Sequence, residues 1–169
     1  MSSMRLSSTR LCLISIVWQI LPSTRFYKFK VSCLRWSGAS VGNNVRIASS
    51  AKICGNGVLE IGDNTWIGHE VLIVCSDHTS IGSDCDIAPR VFIGDGTHVI
   101  DKNSPNVAGA GKMLPVKIGN GCWLCANSTI LPGAEIGEKC IIAAGSVFKG
   151  KSNPLEVWGG VIARKVKNL

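Results

Sequence analysis

The chain has 169 residues, with 18 Lys or Arg against 11 Asp or Glu, and 19 glycines. That length allows one domain with a sizeable core and a short appendage. The glycine content, the single tyrosine and the 17% charged fraction argue against a helical bundle, and no Gly-X-Y repeat or low-complexity tract indicates collagen or disorder, which leaves a turn-rich β protein.

Charge is unevenly placed along the chain. Residues 1–52 carry eight Lys or Arg and no acid, whereas 53–98 carry seven acids and only Arg90. The apolar run Leu11–Leu21 (LCLISIVWQIL) follows Arg5 and Arg10. It is too short to span a bilayer as a helix, which needs about 20 residues. Such a basic, apolar segment suits peripheral contact of residues 1–35 with an anionic membrane surface, the inner face of a membrane for a cytoplasmic protein. Packing of a helix on the main domain or on a partner subunit is the alternative. A secretory signal is the rival reading, but ILPSTRFYKFK offers no small-x-small cleavage site. Residues 1–40 are expected to form an N-terminal helical segment.

From Val41 onward a six-residue beat takes over. Aliphatic residues stand at Val41, Ile47 and Ile53, at Ile61, Ile67 and Ile73, and at Ile81, Ile87 and Ile93; the beat resumes at Ile118, Leu124, Ile130, Ile136, Ile142 and Phe148. Glycine follows in VGNN, IGDN, IGHE, IGSD, IGDG, IGNG and IGEK, and a small residue stands four positions after the aliphatic one, as at Thr65, Cys85, Thr97, Cys122 and Cys140. This period is too short for a helix pair and does not alternate as a hairpin sheet does. It fits a solenoid of short parallel strands, three hexapeptides per triangular coil, with the aliphatic residue inside, the small one near a corner and glycine permitting the turn. About five coils stack at about 4.8 Å each. The beat also accounts for most of the eight cysteines, so CWLC (Cys122–Cys125) reads as packing rather than a redox or zinc pair, and a reduced cytoplasm is the expected setting. The solenoid is expected over 41–153, with a C-terminal tail over 154–169.

After Ile93 the rhythm stops. The segment DKNSPNVAGAGKMLP separates His98 from the restart at VKIG, so a protruding loop is expected over 99–117. Loops of that length in a compact domain are usually functional or disordered. The rest of the pattern adds specificity. IGSDCDIAPRVFIGDGTH, the IG-x-x-x-W motif at Trp123, and WLCANSTILPGAEIGEKCIIAAGSVFKG resemble the hexapeptide-repeat acyltransferases, in particular galactoside and maltose O-acetyltransferases and the O-acetyltransferases of polysaccharide biosynthesis. The resemblance covers about residues 41–169. It implies a left-handed parallel β-helix, against the usual crossover rule, and a homotrimer with its active sites between subunits. It further implies acetyl-CoA as co-substrate and a sugar or lipid-linked glycan as acceptor.

Carried onto this sequence, the resemblance places the catalytic base at His98. It sets Trp123 against the pantetheine arm and puts backbone groups of Ala126 and Ala144 in contact with it. Lys149, Arg164 and Lys167 would lie near the nucleotide phosphates. Acetyl transfer needs a base for the hydroxyl proton, a donor for the tetrahedral oxyanion and alignment of the two substrates. A histidine, with an ordinary pKa of about 6.5, suits the first task. Asp95 or Asp101 is the candidate to orient its ring, and a backbone amide near the loop restart the candidate oxyanion donor. Residues 139–169 hold six basic residues against one acid, as a phosphate-rich cofactor favours. Two departures stand out: GVIARK has Ile162 where the family has proline, and Gly68 aligns with an acceptor-binding asparagine, which leaves His69 and Glu70 as acceptor candidates.

His78 and His98 each follow an inner isoleucine by five residues, so they are expected one coil spacing apart, about 5 Å. SDHTSIG resembles serine acetyltransferases, which makes His78 the alternative base. Two further alternatives are a non-catalytic scaffold and a zinc site of His69, His78 and His98 between subunits, as in solenoid carbonic anhydrases; the histidine spacing does not match that family, and no metal is expected. Basic residues confined to the chain ends, without interleaved aromatics, argue against nucleic acid.

Overall fold

A hexapeptide whose aliphatic residue must be buried and whose neighbours are polar makes a two- to four-residue strand and then a corner. The computed structural model describes residues 4–168; Met1–Ser3 of the N-terminal segment and Leu169 of the C-terminal one lie outside that range. Three parallel sheets form the faces of a prism. Sheet A stacks Ser40–Val41, Val58–Ile61, His78–Ile81, Val116–Ile118 and Glu135–Ile136. Sheet B stacks Arg46–Ile47, Trp66–Ile67, Asp86–Ile87, Trp123–Leu124 and Ile141–Ile142, then Glu156–Gly160 with the antiparallel Ala163–Asn168. Sheet C stacks Lys52–Cys54, Leu72–Val74, Phe92–Gly94, Thr129–Ile130 and Val147–Phe148. The expected inner residues pair rung on rung, Ile47 with Ile67, Ile67 with Ile87, and Ile87 with Leu124. These four are fully buried, each contributing about 1.5–3 kcal/mol of apolar transfer.

The small positions have a second task. Thr65 Oγ1 donates to the Gly82 carbonyl at 2.8 Å, and the thiols of Cys85, Cys122 and Cys140 donate to the carbonyls of Gly119, Gly137 and Asn153 at 3.2, 3.0 and 3.0 Å. A column of small donors thus satisfies the carbonyls of the next coil at one corner. The glycine after the aliphatic residue is required by close approach rather than by its own turn geometry: a Cβ on Gly82 would meet the Asn120 nitrogen at 2.7 Å. The left-handed residues of that corner come two positions later, at Asn44, Asn64, Asp84, Gly121 and Lys139, with φ between 53° and 67°.

Both ends of the prism are closed. Helix α1 (Ser8–Gln19), capped by Ser7, packs Leu11, Ile14 and Trp18 under sheet C, and α2 (Tyr27–Trp36) packs Val31 and Leu34 under sheets A and B. The Lys30 ammonium, fully buried, donates to the Ser23 carbonyl at 3.0 Å and Ser49 Oγ at 3.1 Å and lies 5.1 Å from the Tyr27 ring centroid; burial lowers its pKa. No helix among the described residues is long and apolar enough to cross a membrane.

At the other end the solenoid continues past residue 153. Glu156–Gly160 adds a sixth rung to sheet B above five complete coils. Trp158 meets Phe148 edge-on at 5.1 Å and covers the core. The Glu156 carboxylate, 2% exposed, accepts from Lys165 Nζ at 2.6 Å, Asn153 N at 3.0 Å and Trp158 Nε1 at 3.0 Å. The Lys165 ammonium, then the Asn153 and Trp158 donors, hold this carboxyl down at about 2 against the opposing effect of desolvation.

Candidate active site

The break in the beat is an antiparallel arm, Gly96–Ile100 paired with Ala108–Met113, which departs three residues before the expected loop start. It leaves from the corner between sheets C and A. That corner is already long in the first two coils, with eight residues from Ile53 to Ile61 and from Ile73 to Ile81 where other corners take six. Thr97, expected as a small inner residue, is exposed on the arm.

His98 is exposed on the arm, and its Nδ1 lies 2.8 Å from the Gly109 carbonyl of the paired strand. A carbonyl can only accept, so this contact fixes the proton on Nδ1 and leaves the Nε2 lone pair facing outward. Neither expected carboxylate contacts the ring. Asp95 is fully buried, its oxygens accepting from Ser76 N at 2.7 Å, Asp77 N at 2.9 Å and, weakly, Thr79 Oγ1 at 3.4 Å; its carbonyl accepts from Leu114 N at 2.8 Å. It clamps both roots of the arm to the coil below. Asp101 accepts from Asn103 N at 2.9 Å near the arm tip.

His78 and His98 are not stacked. The ladder between Leu72–Val74 and Phe92–Gly94 ends at the Val74–Gly94 pair, and the chain then leaves the coil, so the expected register is lost before either histidine. His78 faces outward on sheet A, its Nε2 3.2 Å from Glu60 Oε2. His69 lies at the corner between sheets B and C, edge-on to Trp66 with Nδ1 3.4 Å from Ser50 Oγ. The three histidines therefore occupy three parts of the molecule, and among the described residues no His, Cys, Asp and Glu side chains gather as a metal site.

Of the residues expected on the donor side, Trp123, Arg164 and Lys167 fall along one column. Trp123, 49% exposed on the outer face of sheet B, is in register with Asp86 below and Ile141 above, and Ile141 with Val157, which pairs with Lys167. Arg164 pairs with Gly159 on the same terminal strand. Three rungs separate Trp123 from Lys167, about 14 Å. Ala126 and Ala144 sit one coil apart at the adjoining corner between B and C, where Gly145 N donates to the Ala126 carbonyl at 3.0 Å. Among the described residues the N–H groups of Ala126 and Ala144 have no acceptor, so they remain available as donors. His69 and Glu70 lie on this corner two coils lower, with Glu70 bound by Arg90 at 2.7 Å. Lys149 lies apart, in an open cleft of about 440 Å³ with Leu114, Lys117, Gly133 and Glu135.

The expected oxyanion donor at the loop restart is occupied, since Leu114 N donates to Asp95 and Lys117 N to the Ala134 carbonyl. Sequence reasoning missed the Gly109 carbonyl, because a backbone acceptor across an arm carries no residue signature. In a triangular prism the corner from which the arm leaves is opposite sheet B, so His98 and Trp123 of one chain are on opposite sides.

A parallel hexapeptide solenoid with a histidine-bearing arm defines the class of protein. Residues 115–150 match the family model for bacterial transferase hexapeptide (six repeats). The chain is 32% identical over 124 residues to the putative colanic acid biosynthesis acetyltransferase WcaF of Escherichia coli, covering 73% of this chain and 66% of the relative. It is 36% identical over 121 residues to the putative lipopolysaccharide biosynthesis O-acetyl transferase WbbJ of the same organism, covering 67% and 62%. The chain thus spans somewhat under two thirds of the length of these relatives. Its fold superposes on a hexapeptide-repeat acetyltransferase of Vibrio cholerae complexed with acetyl coenzyme A, with a TM-score of 0.76 at 19% identity over 96% of this chain and 86% of that one. The chain belongs to the hexapeptide-repeat acyltransferases.

Proposed function

We propose that the protein is an acetyl-CoA-dependent O-acetyltransferase acting on a hydroxyl of a sugar or polysaccharide precursor, in the cytoplasm, as a homotrimer. The observation that carries this reading is the Nδ1 contact of His98 with the Gly109 carbonyl, which leaves Nε2 as the ring's free acceptor on a protruding arm. The relatives, acetyltransferases of colanic acid and lipopolysaccharide biosynthesis by name, support the acceptor class.

In this mechanism Nε2 takes the proton of the acceptor hydroxyl as its oxygen attacks the thioester carbonyl. A free N–H at the sheet B–C corner, Ala126 or Ala144, stabilises the oxyanion or holds the pantetheine amides. Collapse breaks the C–S bond, and the thiolate recovers the proton from the imidazolium. Trp123 flanks the pantetheine, Arg164 and Lys167 meet phosphates at the top of the column, and Lys149, on the corner that carries the arm, meets them from the chain that supplies His98. His69 and Glu70 are the acceptor-side candidates; Asp101 serves the arm tip.

A second reading rests on the His78–Glu60 pair at 3.2 Å, an acid–histidine dyad of the kind a serine-acetyltransferase-like base needs. Thiol release from acetyl-CoA across a panel of sugar and lipid-linked acceptors separates the two. Loss of about 10²–10⁴-fold in His98→Ala with His78→Ala active supports the first. The reverse pattern supports the second, and a wild type that neither binds CoA nor releases thiol contradicts both.

A further inference from the structure

We propose that the outward face of α1 is a membrane-docking surface that seats the helical end of the protein on a bilayer rich in anionic lipid. A helix lying on a globular domain normally turns one apolar stripe inward and a polar face outward. Helix α1 is apolar on both. Leu11, Ile14 and Trp18 are buried against the first coil, while Leu13, Ile16, Val17 and Ile20 are 52%, 59%, 36% and 83% exposed. At about 100° per residue the exposed stripe is centred roughly 140° from the buried one, so it points away from the prism. The i, i+3, i+4, i+7 spacing makes it continuous.

The charge around this stripe names its partner. Residues 4–52 contain no Asp or Glu, and Arg5, Arg10, Arg25, Lys28 and Arg35 are exposed on the helical end. Among the described residues none of these five is ion-paired. Exposed Phe26, Phe29 and Trp36 add aromatic side chains of the kind that settle at the headgroup level. Large aliphatic side chains ringed by unpaired cations fit the interface of an anionic bilayer, where burial and headgroup attraction add. The helix is too short to cross, so the contact is in plane. This inference does not rest on the acyl-transfer reading.

The test is co-sedimentation of the full-length protein with vesicles of phosphatidylcholine alone or with about one third phosphatidylglycerol. Ile16→Ser/Ile20→Ser and Arg25→Ser/Lys28→Ser are compared with wild type, folding being checked by circular dichroism. Binding to the anionic vesicles is expected, at least tenfold weaker to neutral ones, weakened several-fold by the charge variant and by about tenfold or more by the aliphatic variant. Absence of binding to anionic vesicles, or binding unaffected by Ile16→Ser/Ile20→Ser, overturns the proposal. So does an oligomer that falls apart in that variant by light scattering without vesicles, since the face then belongs to a second copy of the chain.

Discussion

Replacing Asp95 by alanine removes the clamp at the root of the arm that carries His98. The side chain is fully buried, and its two short contacts are charge-assisted hydrogen bonds from the N–H groups of Ser76 and Asp77 at 2.7 and 2.9 Å. Bonds of that kind contribute about 1.5–3 kcal/mol each, and the 3.4 Å contact to Thr79 adds little. Asp95→Ala is therefore expected to destabilise the protein by about 3–5 kcal/mol, measured by urea titration at fixed protein concentration. Asp95→Asn, which retains one acceptor, is expected to lose about half of that. Because Asp95 holds the arm and does not touch His98, kcat is expected to fall in Asp95→Asn while KM for acetyl-CoA stays within about twofold. An Asp95→Ala protein within about 1 kcal/mol of wild type refutes the clamp.

Three further outcomes follow from the two ends and the corner column. Cys122→Ala removes the thiol donor to the half-buried Gly137 carbonyl and is expected to lower stability by about 1–2 kcal/mol in urea, whereas Cys122→Ser, which keeps a donor, stays within about 1 kcal/mol. Glu156, held at about 2 when folded and near 4.3 when unfolded, stabilises the fold above pH 4.3 and loses that contribution as pH falls toward 2. Glu156→Gln is accordingly expected to be less stable than wild type at pH 7 and to change less between pH 4.5 and 2; equal acid profiles contradict the assignment. Burial pushes the Cys75 thiol up to about 11, so at pH 8 an aromatic disulfide reagent is expected to modify the exposed Cys12 and Cys54 in the native protein and to leave Cys75 untouched until urea is added.

The six-residue beat carried the faces of the prism because each beat puts one aliphatic side chain inside, and Ile47, Ile67, Ile87 and Leu124 pair as their spacing requires. Its failure after Ile93 marked the arm. The arm's strands were not legible: Ala108–Met113 reads AGAGKM, without the branched or aromatic residues that signal a strand, and it pairs only with its own other half. The sixth rung was hidden for a related reason. Trp158 plugs the core end where the beat would place an isoleucine, and the buried Glu156 carboxylate reaches the exposed Lys165, a pairing that no hexapeptide count anticipates. Asp95 looked like a partner of His98 because they are three residues apart in sequence, but the side chain turns back into the coil and the histidine goes outward with the arm. Nothing in the sequence sets Lys30 apart from the other bases of residues 1–52, and only the packing of α2 on the first coil shows it buried.

The central claim is that His98 of one chain works with Trp123 of a neighbour. His98→Ala and Trp123→Ala chains, each first shown to have lost activity alone, should be mixed in equal amounts, dissociated and reassembled, and assayed for acceptor-dependent thiol release. With one site at each of three equivalent interfaces, about one quarter of the sites in random trimers join an intact His98 to an intact Trp123, so about one quarter of wild-type activity is expected. Mixtures no more active than the separate variants, from trimers shown to contain both chains, would place the whole site within one chain and contradict the account.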